Sequence, residues 1–422
     1  MGRDLTSAPG GHGPPGVAPC QVRVEHPEFG ALGFVAIDSG VWHRSVGGIR
    51  LVPDVTPEHV ADLARTMTYK FAFLRMPLGG AKGGIVASPA WFPERRAEML
   101  RYFGAAIGPF VRSGVYTPGA DLGTGPRDCA LLLEGAGVLP RGAADATPGG
   151  ASDESGFPTG LTVFLAARAA LERLGRPVAG ATVAVEGFGK VGAAVVRLFA
   201  EAGARIVAVS TLEGAIHQAG GLDAGQLLRL RVSHGDAAVR HYAGATAIAP
   251  ADLLTLPVDV LSPCGSLWSI RAETVGAVAC RVLSPGANCV VHPAAREAFA
   301  ARRDVIAIPD FVANCGSVLD GNLPGGRTLN DRLVREHYGG AVRRLLAASA
   351  RLDVPVGHLA RQVAEEGLRE IVAHPRRARA RERDLDWSTR LAEHRWAPGA
   401  LGTLLARRLA RAWTPTLPDH PA

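Results

Sequence analysis

"VAVEGFGKVGAAVVRLFAEAGARIVAVS", residues 183–210, decides how the second half of this chain is read. A short apolar run ends at Glu186. Gly187, Gly189 and Gly192 follow in a GxGxxG pattern, then a helical pattern, then a second apolar run closing at Ser210. Glycines at this spacing, after a strand and at the start of a helix, let backbone N–H groups approach a diphosphate at the helix N-terminus. Candidate cofactor-binding residues are therefore Gly187, Phe188, Gly189, Lys190, Val191 and Gly192, with Ser210 and Thr211 at the end of the second strand. A tight turn with no ligand is the structural alternative, and Lys190 reads equally well as a solvated helix-start residue. The second strand lacks the terminal acid that holds a ribose 2′-hydroxyl. Either Glu213 reaches the ribose, as in NAD sites, or the pocket admits the 2′-phosphate of NADP. The reading leans to NAD and keeps both.

Working outward, "LTVFLAARAALERLG" predicts a helix before this unit, and "VDVLSP", "RVLSPGA" and "VIAIPD" predict further short strands. Strands alternating with helices predict a parallel α/β sheet, here a Rossmann-type NAD(P)-binding domain over 151–330. Upstream, "QVRVEH", "LGFVAI" and "GGIRLV" read as strands of a mixed sheet. A helix over 57–74 opens with Thr56 as N-cap, a Gly-rich loop is expected at 79–84, and two more helices follow. The fold class is thus α/β, with an N-terminal mixed-sheet α/β substrate domain over 21–150. The domain boundary is placed in the link "TPGGASDESGFPTG", 147–160. Residues 1–20 are expected to be a disordered tail, 331–375 helices returning to the first domain, and 376–422 a basic helical extension.

Composition bounds the function classes. A chain of 422 residues exceeds one ordinary core. The six cysteines form no CxxC pair and no metal-type cluster, so no metal is expected and a reducing, cytoplasmic setting is the simplest reading. No run of eighteen apolar residues predicts a membrane span. A net charge of +7 invites a nucleic-acid reading, but the basic residues are dispersed apart from "HPRRARARERD" and suit anionic small molecules equally. No nucleic-acid or membrane partner is expected.

Of 46 basic residues only three are lysines, Lys70, Lys82 and Lys190. Two of them lie in "MTYKFAFLRMPLGGAKGGI", residues 67–85. Lysine, unlike arginine, can give up its proton near neutral pH when buried or placed beside another cation, so it can act as a base. Two surface lysines left by chance are the structural alternative.

These residues resemble a known family. "MTYK…PLGGAKGG", "YTPGADLGT", "PTG", "GFGKVG", "GANCVVHP" and "PDFVANCGSV" resemble, in order and spacing, the glutamate/leucine/phenylalanine/valine dehydrogenases over roughly residues 30 to 330. The resemblance implies NAD(P)-dependent oxidative deamination of an L-amino acid to a 2-oxo acid and ammonia, and the reverse, by a homo-oligomer. It implies Lys70 as holder of the substrate α-carboxylate, Lys82 as the low-pKa lysine that activates water, and Asp121 as the acid/base at the amino group. Thr159 and Asn288 would contact the nicotinamide half, Asn314 would lie where cofactor and substrate meet, and Gly79 and Gly80 would line the pocket.

Where the family's glutamate enzymes carry a lysine just before GG-x-R and a serine after the NxGxV run, this chain has Val46 and Gly321. A carboxylate buried there without a partner is costly, whereas an apolar side chain gains about 1.5–3 kcal/mol from burial. With "LGFVAIDSGVWHRSVGGIR" and "SPCGS", this places the pocket closer to the leucine/phenylalanine/valine branch and predicts a hydrophobic substrate, although "PLGGAKGGI" looks more like the glutamate branch. A glutamate dehydrogenase with a rearranged pocket, in which Arg44 would rescue an acidic substrate, and a non-catalytic dinucleotide-binding scaffold are the alternatives. Ser317 stands where the family usually has glycine.

Overall fold

The structure, a computed structural model, describes residues 20–28, 30–38, 42–87, 95–138, 153–393 and 400–412. The expected tail before Cys20 and the 147–152 part of the link lie outside the described residues. The chain divides into two compact units, Met1–Arg65 with Gly79–Pro140, and Thr66–Leu78 with Arg141–Ala422.

The first unit is built on a five-stranded sheet of β1 (Cys20–His26), β2 (Gly30–Ile37), β3 (Ser45–Val52), β4 (Gly79–Val86) and β5 (Tyr116–Ala120), in the order β1-β2-β4-β3-β5. β1, β2 and β4 pair antiparallel, while β4, β3 and β5 run parallel. Its helices are α1 (Pro57–Phe73, whose residues after Arg65 belong to the second unit), α2 (Arg96–Arg112) and α3 (Pro126–Gly135). Thr56 caps α1 as read, its Oγ1 accepting the His59 N–H at 3.3 Å. Strand alternation sorts the side chains. Val35, Ile37, Ile49, Leu51 and Ile85 pack with Met99, Leu100 and Phe103 of α2 and Leu132 of α3. Phe34, Ala36, Val52 and Val86 pack with Val55, Val60, Ala61 and Ala64.

The Gly-rich loop expected at 79–84 is instead the central strand β4. Glycine is a poor strand former, which is why the stretch reads as a loop. Here it serves close packing: a Cβ on Gly84 would stand 2.3 Å from Val55 Cγ2, and one on Gly83 2.8 Å from Ile49 Cγ1. β5 was not anticipated either, because Pro118 and Gly119 mask it.

After Thr66–Leu78, the second unit continues with α4 (Phe157–Arg173). It begins inside the stretch expected to be linker, because "FPTG" reads as a loop although proline is well tolerated in a first helical turn. Then come β6 (Thr182–Glu186), α5 (Lys190–Glu201), β7 (Arg205–Thr211), β8 (Gly214–His217), α6 (Ala224–His234), α7 (Ala238–His241), β9 (Thr246–Ile248), α8 (Pro250–Leu253), β10 (Val260–Pro263), β11 (Val282–Leu283), α9 (Arg296–Ala300) and β12 (Ile306–Ala307). The sheet order is β12-β11-β10-β6-β7-β8-β9. β12 to β7 run parallel as predicted, and β8 and β9 add an unanticipated antiparallel edge. The order in which the strands are connected across the sheet reverses between β6 and β10, which are themselves parallel. In open α/β sheets such a switch point, at the carboxyl ends of the strands, is where ligands bind. Short helices α10 (Asp310–Ala313), α11 (Gly316–Asp320) and α12 (Arg327–Leu333) lead through a π-turn to α13 (Gly339–Leu352), α14 (Val356–Ala373), α15 (Pro375–Glu393) and α16 (Ala400–Ala412). No described helix is long and apolar enough to cross a membrane.

Candidate active site

At the switch point of the second unit the three glycines of the motif do different work. Gly187 has φ +85°, and a Cβ there would lie 2.4 Å from the Gly265 backbone. A Cβ on Gly192 would lie 2.0 Å from the Gly187 carbonyl oxygen, so this glycine lets α5 close onto β6. Gly189, the N-cap of α5, has nothing within 4 Å of its Cβ position. The backbone is therefore open where a diphosphate would approach the helix N-terminus. Lys190 is exposed at the helix start and Phe188 is buried. Val191 packs where a Cβ on Gly286 would meet its Cγ1 at 2.8 Å. Ser210 braces the loop, since its Oγ accepts the Gly187 N–H at 3.0 Å and its carbonyl accepts the Phe188 N–H at 2.7 Å. The Thr211 hydroxyl donates to the Asp236 carbonyl at 2.7 Å.

Sequence reading passed over Glu186. It ends β6 with a buried carboxylate that accepts the Gly265 N–H at 3.2 Å. Burial pushes its carboxyl above the usual range, against the pull of the Gly265 and Ser266 amides. An acid directly before GxGxxG was the available signal.

The same unit gathers Lys70, Asn288 and Asn314. Lys70 Nζ donates to Asn288 Oδ1 at 3.2 Å, and Asn314 Nδ2 donates to the same oxygen at 2.8 Å and to the Ala287 carbonyl at 3.1 Å. Asn314 Oδ1 is buried with no partner, which leaves an acceptor for a donor the protein does not supply. Asp310 fixes the strap after Asn288 by accepting the Cys289 and Phe311 N–H groups. Cys289 sits at φ +51°, a conformation that costs a non-glycine residue about 1–3 kcal/mol and clusters at functional sites. Thr159 does not join this group through any bond described; its hydroxyl pairs with Ser317 Oγ at 2.7 Å. Gly321 follows α11, its N–H bonded to the Ser317 carbonyl. The open space at the Gly189 Cβ position, the glycine cradle and the orphaned Asn314 oxygen all fit a dinucleotide carrying a carboxamide.

The first unit holds a second constellation. Lys82 Nζ lies 2.9 Å from Asp121 Oδ2, and Arg50 Nε lies 3.1 Å from the same oxygen. Lys82 is on β4, Arg50 on β3, and Asp121 directly follows β5. Burial pushes the Asp121 carboxyl up, but Lys82 and then Arg50 pull it further the other way, holding it well below the usual carboxylate range. Arg50 was not singled out in the sequence; its place in "GGIR" was the available signal. Val46 and Gly80 are cross-strand partners in the parallel β3–β4 pair. Gly79 pairs with Ser45, and its N–H bonds the Arg44 carbonyl at 2.8 Å.

Burial pushes the thiols of Cys264, Cys280 and Cys315 up to about 12, which makes these three poor nucleophiles.

Residues 21–136 match the "Glu/Leu/Phe/Val dehydrogenase, dimerisation domain" and residues 149–323 match "Glutamate/Leucine/Phenylalanine/Valine dehydrogenase". The chain belongs to this dehydrogenase family. Among curated relatives of the family, the NAD-specific glutamate dehydrogenase A of Halobacterium salinarum is 35% identical over 64% of this chain and 63% of its own length. The NADP-specific glutamate dehydrogenase A1 of the same organism is 33% identical over 64% and 66%. The chain thus spans somewhat under two thirds of these relatives. A hetero-hexameric glutamate dehydrogenase from Thermus thermophilus, in a leucine-bound form, shares the fold at TM-score 0.64 and 24% identity, covering 88% of each chain. An L-tryptophan dehydrogenase from Nostoc punctiforme does so at TM-score 0.56 and 20% identity, over 83% of this chain and 96% of its own. The curated relatives named are glutamate enzymes, so they give no support to the leucine/phenylalanine/valine branch read from the sequence.

Proposed function

We propose that this family member is an NAD(P)-dependent L-amino acid dehydrogenase, catalysing oxidative deamination to a 2-oxo acid and ammonia and the reverse. The observation that carries this reading is the Lys82–Asp121–Arg50 triad, which a scaffold protein does not need. The nicotinamide cofactor, held by residues 187–192, Asn288 and Asn314, supplies the hydride acceptor. Lys70 holds the α-carboxylate. Asp121 exchanges a proton with the amino group, and Lys82 activates the water that attacks the imine carbon and then polarises the nascent carbonyl. With both cations on Oδ2, the Asp121 carboxyl is held in the ionised form that can accept a proton from the amino group.

The substrate reading rests on Val46 and Gly321, which place no cation or hydroxyl at the two positions that would hold a side-chain carboxylate. A hydrophobic amino acid follows. Glutamate is the second reading, favoured by the glutamate dehydrogenases among the relatives. A homo-oligomer in the cytoplasm, with residues 21–150 as substrate domain, completes the proposal. The test is NADH and NADPH oxidation with ammonia and a panel of 2-oxo acids, on wild type and Lys82→Ala. Activity on branched or aromatic 2-oxo acids that the variant loses is expected; activity on 2-oxoglutarate alone overturns the substrate reading, and none at all overturns the enzyme reading.

A further inference from the structure

The carboxyl end of β7 bears on which of two cofactors the second unit takes. In a dinucleotide fold this strand end faces the adenosine ribose, where an acid selects a 2′-hydroxyl and an arginine accepts a 2′-phosphate. Here the strand ends in Ser210 and Thr211, and neither carries charge. The Thr211 hydroxyl is occupied on both sides, donating to the Asp236 carbonyl and accepting the Glu213 N–H at 3.1 Å. Glu213, one of the two alternatives read from the sequence, lies in the turn between β7 and β8, where Arg240 pairs with it at 3.2 Å. Asp236 meets the strand end through its main chain.

A cation is anchored on the neighbouring glycine loop. Arg231 of α6 donates from Nε to the Phe188 carbonyl at 2.8 Å, between Gly187 and Gly189. The Phe188 N–H in turn bonds the Ser210 carbonyl. Arg231 is therefore tied to the phosphate-binding loop and, through one further residue, to the end of β7. It is half-buried, so its guanidinium is held in place by the protein. A planar guanidinium fixed through Nε is the group best suited to a phosphate.

We propose that this chain takes NADP(H) in preference to NAD(H), with Arg231 as the residue that meets the 2′-phosphate. The inference rests on the dinucleotide reading above and reverses the lean to NAD drawn from the sequence.

Calorimetric titration of the full chain with 2′,5′-ADP and 5′-AMP tests it without any turnover. Wild type is expected to bind 2′,5′-ADP at least about tenfold more tightly, the difference one charge-assisted contact makes. In Arg231→Gln the two affinities should converge while 5′-AMP binding persists, which also shows that the loop is still folded. Arg231→Lys should retain part of the preference. Equal or tighter binding of 5′-AMP by wild type, or a preference that survives in Arg231→Gln, overturns the inference and leaves the dinucleotide site standing. Failure of wild type to bind either nucleotide overturns both.

Discussion

Lys82 on β4 and Asp121, directly after β5, form an ion pair of 2.9 Å although β4 and β5 are not neighbours in the sheet. β3 lies between β4 and β5, and it is Gly48 on β3 that leaves the space. A Cβ on Gly48 would stand 2.8 Å from Asp121 Cβ and 2.7 Å from the Ala120 carbonyl oxygen.

Gly48→Ala should therefore displace Asp121 before it unfolds the protein. Overpacking of this kind costs about 1–3 kcal/mol. Thermal unfolding should show a modest loss of stability, while kcat/KM falls by at least about a hundredfold, as misplaced catalytic groups do. A variant that keeps wild-type kcat/KM would show that the pair is not needed in this geometry.

Arg50→Gln should change the acid side of the protein's behaviour. The Asp121 carboxyl is depressed in the folded state, so its stabilisation is present above the unfolded value of about 3.9 and fades as pH falls below it. Without Arg50 the depression is smaller. The urea midpoint of the variant should lie below wild type from pH 7 down past the unfolded value, and the gap should close only as pH falls through the depressed folded-state values. The acid limb of kcat/KM should also move to higher pH. Parallel midpoints across that range would assign Arg50 a packing role instead.

Glu186→Gln should work in the opposite direction. The folded-state carboxyl titrates above its unfolded value of about 4.3, so stability declines as pH rises from there through the folded value. Glutamine keeps an acceptor for the Gly265 amide and removes the buried charge. The variant should melt a few degrees higher than wild type at pH 8 and equally at pH 4. A lower melting temperature at pH 8 would mean that the charge itself is required.

Val46→Lys should redirect the substrate. A lysine on β3 would offer a side-chain carboxylate the cation it lacks. The ratio of kcat/KM for 2-oxoglutarate over branched 2-oxo acids should rise by about tenfold or more, one charge-assisted contact. An unchanged ratio would place the specificity pocket elsewhere.

Much of this was legible in the chain itself. Residues 183–210 specify a strand, a phosphate-type turn, a helix and a second strand, because apolar periodicity and glycine spacing are local properties. Thr56 as a cap and the rarity of lysine at Lys70 and Lys82 are of the same kind. Local pattern misled where glycine was used for packing: 79–84 reads as a loop, yet it is the central strand, because Val55 and Ile49 leave no room for side chains there. Only tertiary structure could bring Arg50 onto Asp121 across 71 residues, or Arg231 onto the Phe188 carbonyl across 43. Those contacts depend on strand register and helix docking, which arise from packing over the whole unit. The sequence by itself determined which chemical groups are available; the fold decided which of them share an oxygen atom.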